Sequence, residues 1–184
     1  MNAATPAPLL SGPFCFLRHG ETEPNRLGLV AGASNVPLNE RGWAQARAAA
    51  ARLASGDIDA IWCSPLQRAR DTARCVTEVL GIEPVIVAEL AERNWGELEG
   101  QPRALRVRNA TPPGGESPEA FRLRTLIGLQ QIGASRMPLI VAHSGTFRVL
   151  GAWLDLPPQD SPVPNSLPLL FDRSADGRWH CNAL

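Results

Sequence analysis

Arg18, His19, Arg68 and His143 are the residues best equipped for chemistry, because guanidiniums hold anions and an imidazole can act as nucleophile, acid or base. Each follows a short apolar run: Phe14 to Leu17 ends in Arg18-His19-Gly20, Ala60 to Cys63 runs into Ser64-Pro65-Leu66-Gln67-Arg68, and Leu139 to Ala142 runs into His143-Ser144-Gly145-Thr146. Runs of that length and bounding read as buried strands. In an open α/β sheet, ligands bind beyond the carboxyl ends of the strands. Three strand ends that carry two arginines and two of the chain's three histidines therefore point to an anion site. Gly20 is expected to let the backbone approach a ligand closely.

The elements that must position these residues follow from pattern. Asn39-Glu40-Arg41-Gly42 opens an alanine-rich helix to Ala54, with Asn39 as its cap. Pro65 suits a first turn, and Gln67 to Leu80 continues as a helix that ends at Gly81, with Arg68 in its opening turn. Val85 to Val87 reads as a short strand, and Ser117-Pro118-Glu119 starts a helix. The segment after His143 is helical to about Leu154, so its amides and dipole face the same strand ends. Leu167 to Asp172 and Gly177 to Cys181 form a terminal hairpin with Asp176-Gly177 in the turn, which places His180 far from the site in a structural role. Glu23 to Leu38, rich in Gly, Pro and Asn, reads as a loop walling the site. The alternation of strand and helix predicts an α/β fold, a three-layer α/β/α sandwich with a mainly parallel sheet.

Composition narrows the chemistry. The 184 residues and 44% hydrophobic content suffice for one sizeable core, taken as a single domain over 14–184 after a flexible tail at 1–13. All 18 basic residues are arginine, which excludes Schiff-base chemistry and the lysine-dependent phosphate loop. A net charge of zero leaves no footprint for nucleic acid or an anionic membrane. The first 13 residues resemble neither a secretory signal nor a membrane span. Cys15, Cys63, Cys75 and Cys181 lack metal-ligand spacing and read as reduced residues of a cytoplasmic protein. Asp57-x-Asp59 precedes its strand rather than following it, and Ala69 stands where a cysteine-phosphatase loop starting at Cys63 needs arginine.

Leu17-Arg18-His19-Gly20-Glu21-Thr22, then Asn25, Pro37-Leu38-Asn39, Ser64-Pro65-Leu66 with Arg68 and Ala69, Glu92, Pro113-Gly114-Gly115-Glu116-Ser117 and His143 together resemble the histidine phosphatase, or phosphoglycerate mutase-like, superfamily. The resemblance covers nearly the whole chain in order and implies that superfamily's phosphoglycerate mutase-like fold. It assigns His19 as the nucleophile that becomes phosphohistidine, and Arg18, Arg68 and His143 as the groups around the phosphoryl oxygens. It assigns Glu92 as the acid that protonates the leaving oxygen and then accepts a proton from water. Spacing alone does not separate Glu92 from Glu21 or Glu89. Asn25, Ser144 and the backbone at Thr22 and Gly145 are lesser phosphate contacts by analogy. Each residue has a structural alternative: arginines are often solvated, carboxylates cap helices, and a histidine can satisfy core backbone groups.

Pro24, Ala31 and Ser144 depart from the family pattern, the first two in the loop that borders the leaving group. Arg103, Arg106 and Arg108 either line a lid gripping a second anion or form a solvated face, and the solvated face is favoured. The resemblance implies a metal-independent phosphatase of small phosphomonoesters: a sugar phosphate, a phosphoglycerate-like acid or a nucleoside-type phosphate such as α-ribazole phosphate. The short segment between Glu92 and Pro112 argues against the alternative, a cofactor-dependent phosphoglycerate mutase. A non-catalytic phosphate-binding module is the other contender, and a metallohydrolase built on His19, Glu21 and His143 lacks compact ligand spacing. No metal or cofactor is expected. The partner is a small phosphorylated substrate, and the sequence also allows a homodimer.

Overall fold

The computed structural model describes residues 11–158 and 162–184, so most of the expected tail lies outside the described residues. Six strands form one sheet in the order β3-β2-β4-β1-β5-β6. They are β1 (Phe14–Arg18), β2 (Ala60–Cys63), β3 (Pro84–Ile86), β4 (Pro138–Ala142), β5 (Pro168–Arg173) and β6 (Trp179–Ala183). β3, β2, β4 and β1 run parallel, β5 pairs antiparallel with β1, and β6 pairs antiparallel with β5 at that edge. β1 and β4 are buried at every position, which is why they read as unbroken apolar runs rather than as alternation.

The two faces of β1 seed two cores. Cys15 and Leu17 pack with the alanines of α2 (Glu40–Leu53) and with Ala69, Ala73 and Val76 of α3 (Gln67–Leu80). Phe14 and Phe16 face the other way, against Phe147 and Leu150 of α5 (Ser144–Trp153), Leu129 of α4 (Pro118–Gln130) and Phe171 of β5. Helices thus cover both faces of the sheet, giving the three-layer α/β/α arrangement.

The helix boundaries obey local chemistry. The Asn39 side chain accepts the Gly42 amide at 2.8 Å, the Ser117 hydroxyl accepts the Ala120 amide at 3.0 Å, and Gly81 ends α3 at φ 69°. One element differs from the sequence expectation. The segment from Glu23 opens with a helical turn, α1 (Glu23–Arg26), because Thr22 and Asn25 form a reciprocal capping box with Pro24 in the first turn.

Gly20 also differs in its role. A Cβ at this position would overlap the carbonyl oxygen of Gly42, so glycine here admits the backbone of α2 rather than a ligand. Among the described residues no helix is long and apolar enough to cross a membrane.

Candidate active site

The parallel strands end at one place. β1 delivers Arg18 and His19, the turn after β2 delivers Ser64 and the first turn of α3 delivers Arg68, and β4 delivers His143 at the N-cap of α5. All five side chains are buried, with Arg68 only 1% exposed. Burial on this scale demands partners for the polar groups, and the structure provides most of them, leaving Arg18 Nε and His143 Nδ1 without one among the described residues.

His19 Nδ1 lies 2.7 Å from the Gly20 carbonyl oxygen, which can only accept, so Nδ1 carries the proton and Nε2 keeps its lone pair. Arg68 Nε donates to that Nε2 at 3.2 Å, consistent with this tautomer. Burial first, then the Arg68 and Arg18 guanidiniums, hold the His19 pKa well below the usual imidazole range. Burial and the same two arginines do likewise for His143, whose ring centroid is 5.2 Å from that of His19. Both rings are neutral near pH 7.

His143 Nε2 lies 2.7 Å from Ser64 Oγ, which also accepts the Leu66 amide at 3.3 Å. His143 Nδ1 is buried and, among the described residues, has no hydrogen-bond partner. In the tautomer in which the Ser64 hydroxyl donates to Nε2, Nδ1 carries the proton and is an unspent donor beside His19.

The arginines are anchored by carbonyls rather than carboxylates. Arg68 donates from Nη1 to Ser34 O at 2.8 Å and from Nη2 to Gly32 O at 2.7 Å, while Arg18 donates from Nη1 to Val163 O at 2.6 Å. Burial pulls each guanidinium pKa down to about 10, which leaves both fully charged at neutral pH. Their positive charge is therefore available to an anion.

Of the three rival carboxylates, Glu92 is the one that lines the cavity with Arg18, His19 and Arg68. It accepts the Gly145 amide at 2.9 Å and the Arg93 amide at 2.9 Å, so the start of α5 steadies it. Glu21 instead accepts from Asn39 Nδ2 at 3.0 Å. Arg124 reaches the carbonyls of Glu89 and Ala91 at 2.7 and 3.0 Å and so fixes the chain leading into Glu92.

Asn25 and Ser144 line the cavity, and Ser144 Oγ has no hydrogen-bond partner among the described residues. The two expected backbone contacts are both engaged within the protein. The Thr22 amide donates to Asn25 Oδ1 at 3.3 Å and the Gly145 amide donates to Glu92, so neither is free for a phosphate in this arrangement. Thr22, fully buried, caps α1 and shapes Asn25.

The solvated-face expectation for the arginine segment is also corrected in part. Arg103 and Arg106 line the cavity, and only Arg108 lies outside it. Arg106 stacks on Trp95 at 5.1 Å from the ring centroid, with Arg93 on the same ring at 4.3 Å. Arg93 secures this segment by donating to the carbonyls of Arg108 and Ala110 at 2.7 Å and of Glu116 at 3.0 Å.

Sequence reasoning did not single out Arg148 or Asn165. Arg148 lines the cavity from α5, and its spacing of four from Ser144, one helical turn, was the available signal. Asn165 Nδ2 donates to His19 O at 2.8 Å and to Asn25 Oδ1 at 3.3 Å, a contact no local pattern announces.

Residues 14–165 match the histidine phosphatase superfamily (branch 1). A bifunctional protein of Mycobacterium tuberculosis is 36% identical over 154 residues, 73% of this chain, and the chain spans only 42% of that protein's length. The adenosylcobalamin/alpha-ribazole phosphatase of Salmonella typhimurium is 33% identical over 156 residues, covering 76% of this chain and 77% of its own. The structure of a mycobacterial glucosyl-3-phosphoglycerate phosphatase superposes with a TM-score of 0.79 at 26% identity, covering 94% of this chain and 98% of that one. With two buried histidines and two buried arginines meeting where the parallel strands end, and with the match running from β1 to Asn165, the chain belongs to the histidine phosphatase superfamily, branch 1.

Proposed function

We propose that this chain is a metal-independent phosphatase that hydrolyses small phosphomonoesters through a phosphohistidine on His19. The observation that carries the reading is the His19 tautomer: the Gly20 carbonyl holds the proton on Nδ1 and leaves the Nε2 lone pair beside Arg68 in a cavity that Glu92 also lines. Nε2 attacks phosphorus, the phosphorus–oxygen bond to the alcohol breaks, and protonated Glu92 gives its proton to the departing oxygen. Glu92, now a carboxylate, takes a proton from water as that water attacks the phosphohistidine. Inorganic phosphate leaves, and His19 and Glu92 return to their starting forms. Arg18, Arg68 and the Nδ1 donor of His143 meet the charge on the equatorial oxygens.

The leaving group carries a second negative charge in this reading. Arg103, Arg106 and Arg148 line the cavity beyond the phosphoryl-holding pair, and among the described residues none of them makes an ion pair. Five guanidiniums line the cavity with one carboxyl group, Glu92, which carries no charge in its acid form. A carboxylate or second phosphate on the substrate balances that excess. The four free cysteines fit a reducing compartment, and we place the protein in the cytoplasm on that ground.

Phosphate release from a panel of phosphomonoesters in the presence of chelator, with His19→Ala alongside, tests the reading. Turnover by the native protein that the variant lacks, with an acid-labile phosphoryl group trapped on the native chain, supports it. Turnover abolished by chelator and restored by a divalent ion would overturn it. Phosphoryl exchange seen only with 3-phosphoglycerate and its bisphosphate primer would establish the mutase instead.

A further inference from the structure

Glu99 takes no part in the chemistry above, yet its carboxylate gathers four hydrogen bonds from two separate segments. Oε1 accepts the Ala33 amide at 2.7 Å and the Trp95 amide at 3.0 Å. Oε2 accepts the Ser34 amide at 2.9 Å and the Ser34 hydroxyl. The carboxylate fills the space over Gly32, where φ is +53° and a Cβ would overlap Oε1.

What Glu99 grips is the loop that holds Arg68. Gly32 O and Ser34 O are the two carbonyls that accept the Arg68 Nη groups, and with those fixed the remaining Nε points at His19 Nε2. Around it the two segments are zipped by Val30 N to Gln101 O at 2.9 Å, Gly100 N to Val30 O at 2.8 Å and Arg103 N to Gly28 O at 2.8 Å. Trp95 and Arg103 belong to the second segment, as does Glu92. The negative charge of Glu99 also supports the cationic form of buried Arg68.

We infer that Glu99 is a positioning residue that fixes the Arg68 guanidinium against His19 and sets its separation from the Glu92-bearing segment. This rests on the phosphohistidine reading for its kinetic consequences, but not for its consequence on phosphate binding. Glutamine in place of Glu99 keeps the shape and puts an NH₂ group against N–H donors, so one side of the loop loses its anchor.

The experiment is a double-mutant cycle between Glu99→Gln and Arg68→Ala, read as kcat/KM on para-nitrophenyl phosphate and as the Kd for inorganic phosphate by calorimetry. Glu99→Gln is expected to weaken both by roughly tenfold, and to change neither further when Arg68 is already alanine. Glu97→Gln, on an exposed side chain in the same turn, should leave both unchanged. If Glu99→Gln does not fold, Ser34→Ala removes one of the four donors and should show a smaller loss with the same dependence on Arg68. Equal losses with and without Arg68, or unchanged phosphate affinity in a folded variant, would overturn the inference. Absence of turnover by the native protein would count against the phosphatase reading alone, because the phosphate-affinity cycle still decides the role of Glu99.

Discussion

Arg68 Nε donates to the lone pair of His19 Nε2 across 3.2 Å, so a buried guanidinium covers the nitrogen that the proposed mechanism uses as nucleophile. In that mechanism a phosphoryl oxygen entering the cavity is the better acceptor and draws the Arg68 hydrogen bond to itself, which frees Nε2 for attack as the anion binds. Three nitrogens of one rigid fork make these contacts, two on carbonyls and one on His19. Lysine cannot reproduce the fork. Arg68→Lys should therefore lower kcat/KM by about 10² to 10³ while keeping the charge, and a loss under threefold would show that charge alone suffices.

The pH dependence follows from two histidines held neutral by burial and by the guanidiniums. As pH falls through about 6.5, the ordinary imidazole pKa, kcat/KM should stay level, with the acid limb appearing lower. Stability moves differently. Below about 6.5 the unfolded chain takes up protons that the folded histidines refuse, so stability that is complete above that pH declines towards the lowered folded values, by up to about 1.4 kcal/mol per pH unit for each histidine. Urea unfolding at pH 7 and pH 5 checks the sign, and the pH 7 to 5 difference should shrink in His19→Ala.

Ser64 Oγ stands 2.7 Å from His143 Nε2, and a serine proton given to that nitrogen leaves the His143 proton on Nδ1. Ser64→Ala should lower kcat roughly tenfold with a smaller change in KM, since the donor on Nδ1 matters most when charge builds on the phosphoryl oxygens. A change confined to KM would assign Ser64 to ground-state binding.

Glu92 as proton donor predicts sensitivity to the leaving group. Glu92→Gln should slow alkyl phosphates by about 10² to 10⁴ and para-nitrophenyl phosphate far less, because nitrophenolate departs without a proton. Equal losses on both would remove Glu92 from the acid's role.

Arg106, which lines the cavity, is expected to separate substrates by charge. 3-Phosphoglycerate and glycerol 3-phosphate differ by a carboxylate against a hydroxymethyl group, so Arg106→Gln should raise KM for the first by roughly tenfold and leave the second nearly unchanged. Parallel shifts for both would return Arg106 to the packing role that its stacking on Trp95 already provides.

Much of this was legible in the sequence because it depends on local pattern. Phe14 to Leu17 and Leu139 to Ala142 read as strands because both faces are buried, and the chemistry falls where those runs stop. Asn39, Ser117 and Gly81 mark helix ends through bonds within a few residues. Most of what escaped depends on distant contacts. Nothing near Gly145 says that Glu92 consumes its amide, whereas the Thr22 amide goes to Asn25 only three residues on, within a local capping box. Nothing near Arg103 or Arg106 says that Arg93 ties their segment over the cavity, because those bonds run to the carbonyls of Arg108, Ala110 and Glu116.

The place of β1 in the sheet has a consequence during synthesis. Its neighbours on the two sides are β4 and β5, so Cys15 waits for Leu139 and Leu170 before its backbone is paired. Those partners leave the ribosome long after it, and a strand buried at all five positions spends that interval exposed. Long-range pairing of this kind slows folding and leaves an apolar segment open to aggregation. Nascent chains halted before β4 should consequently engage hydrophobic-binding chaperones through Phe14 to Leu17, the same residues that later carry His19 into place.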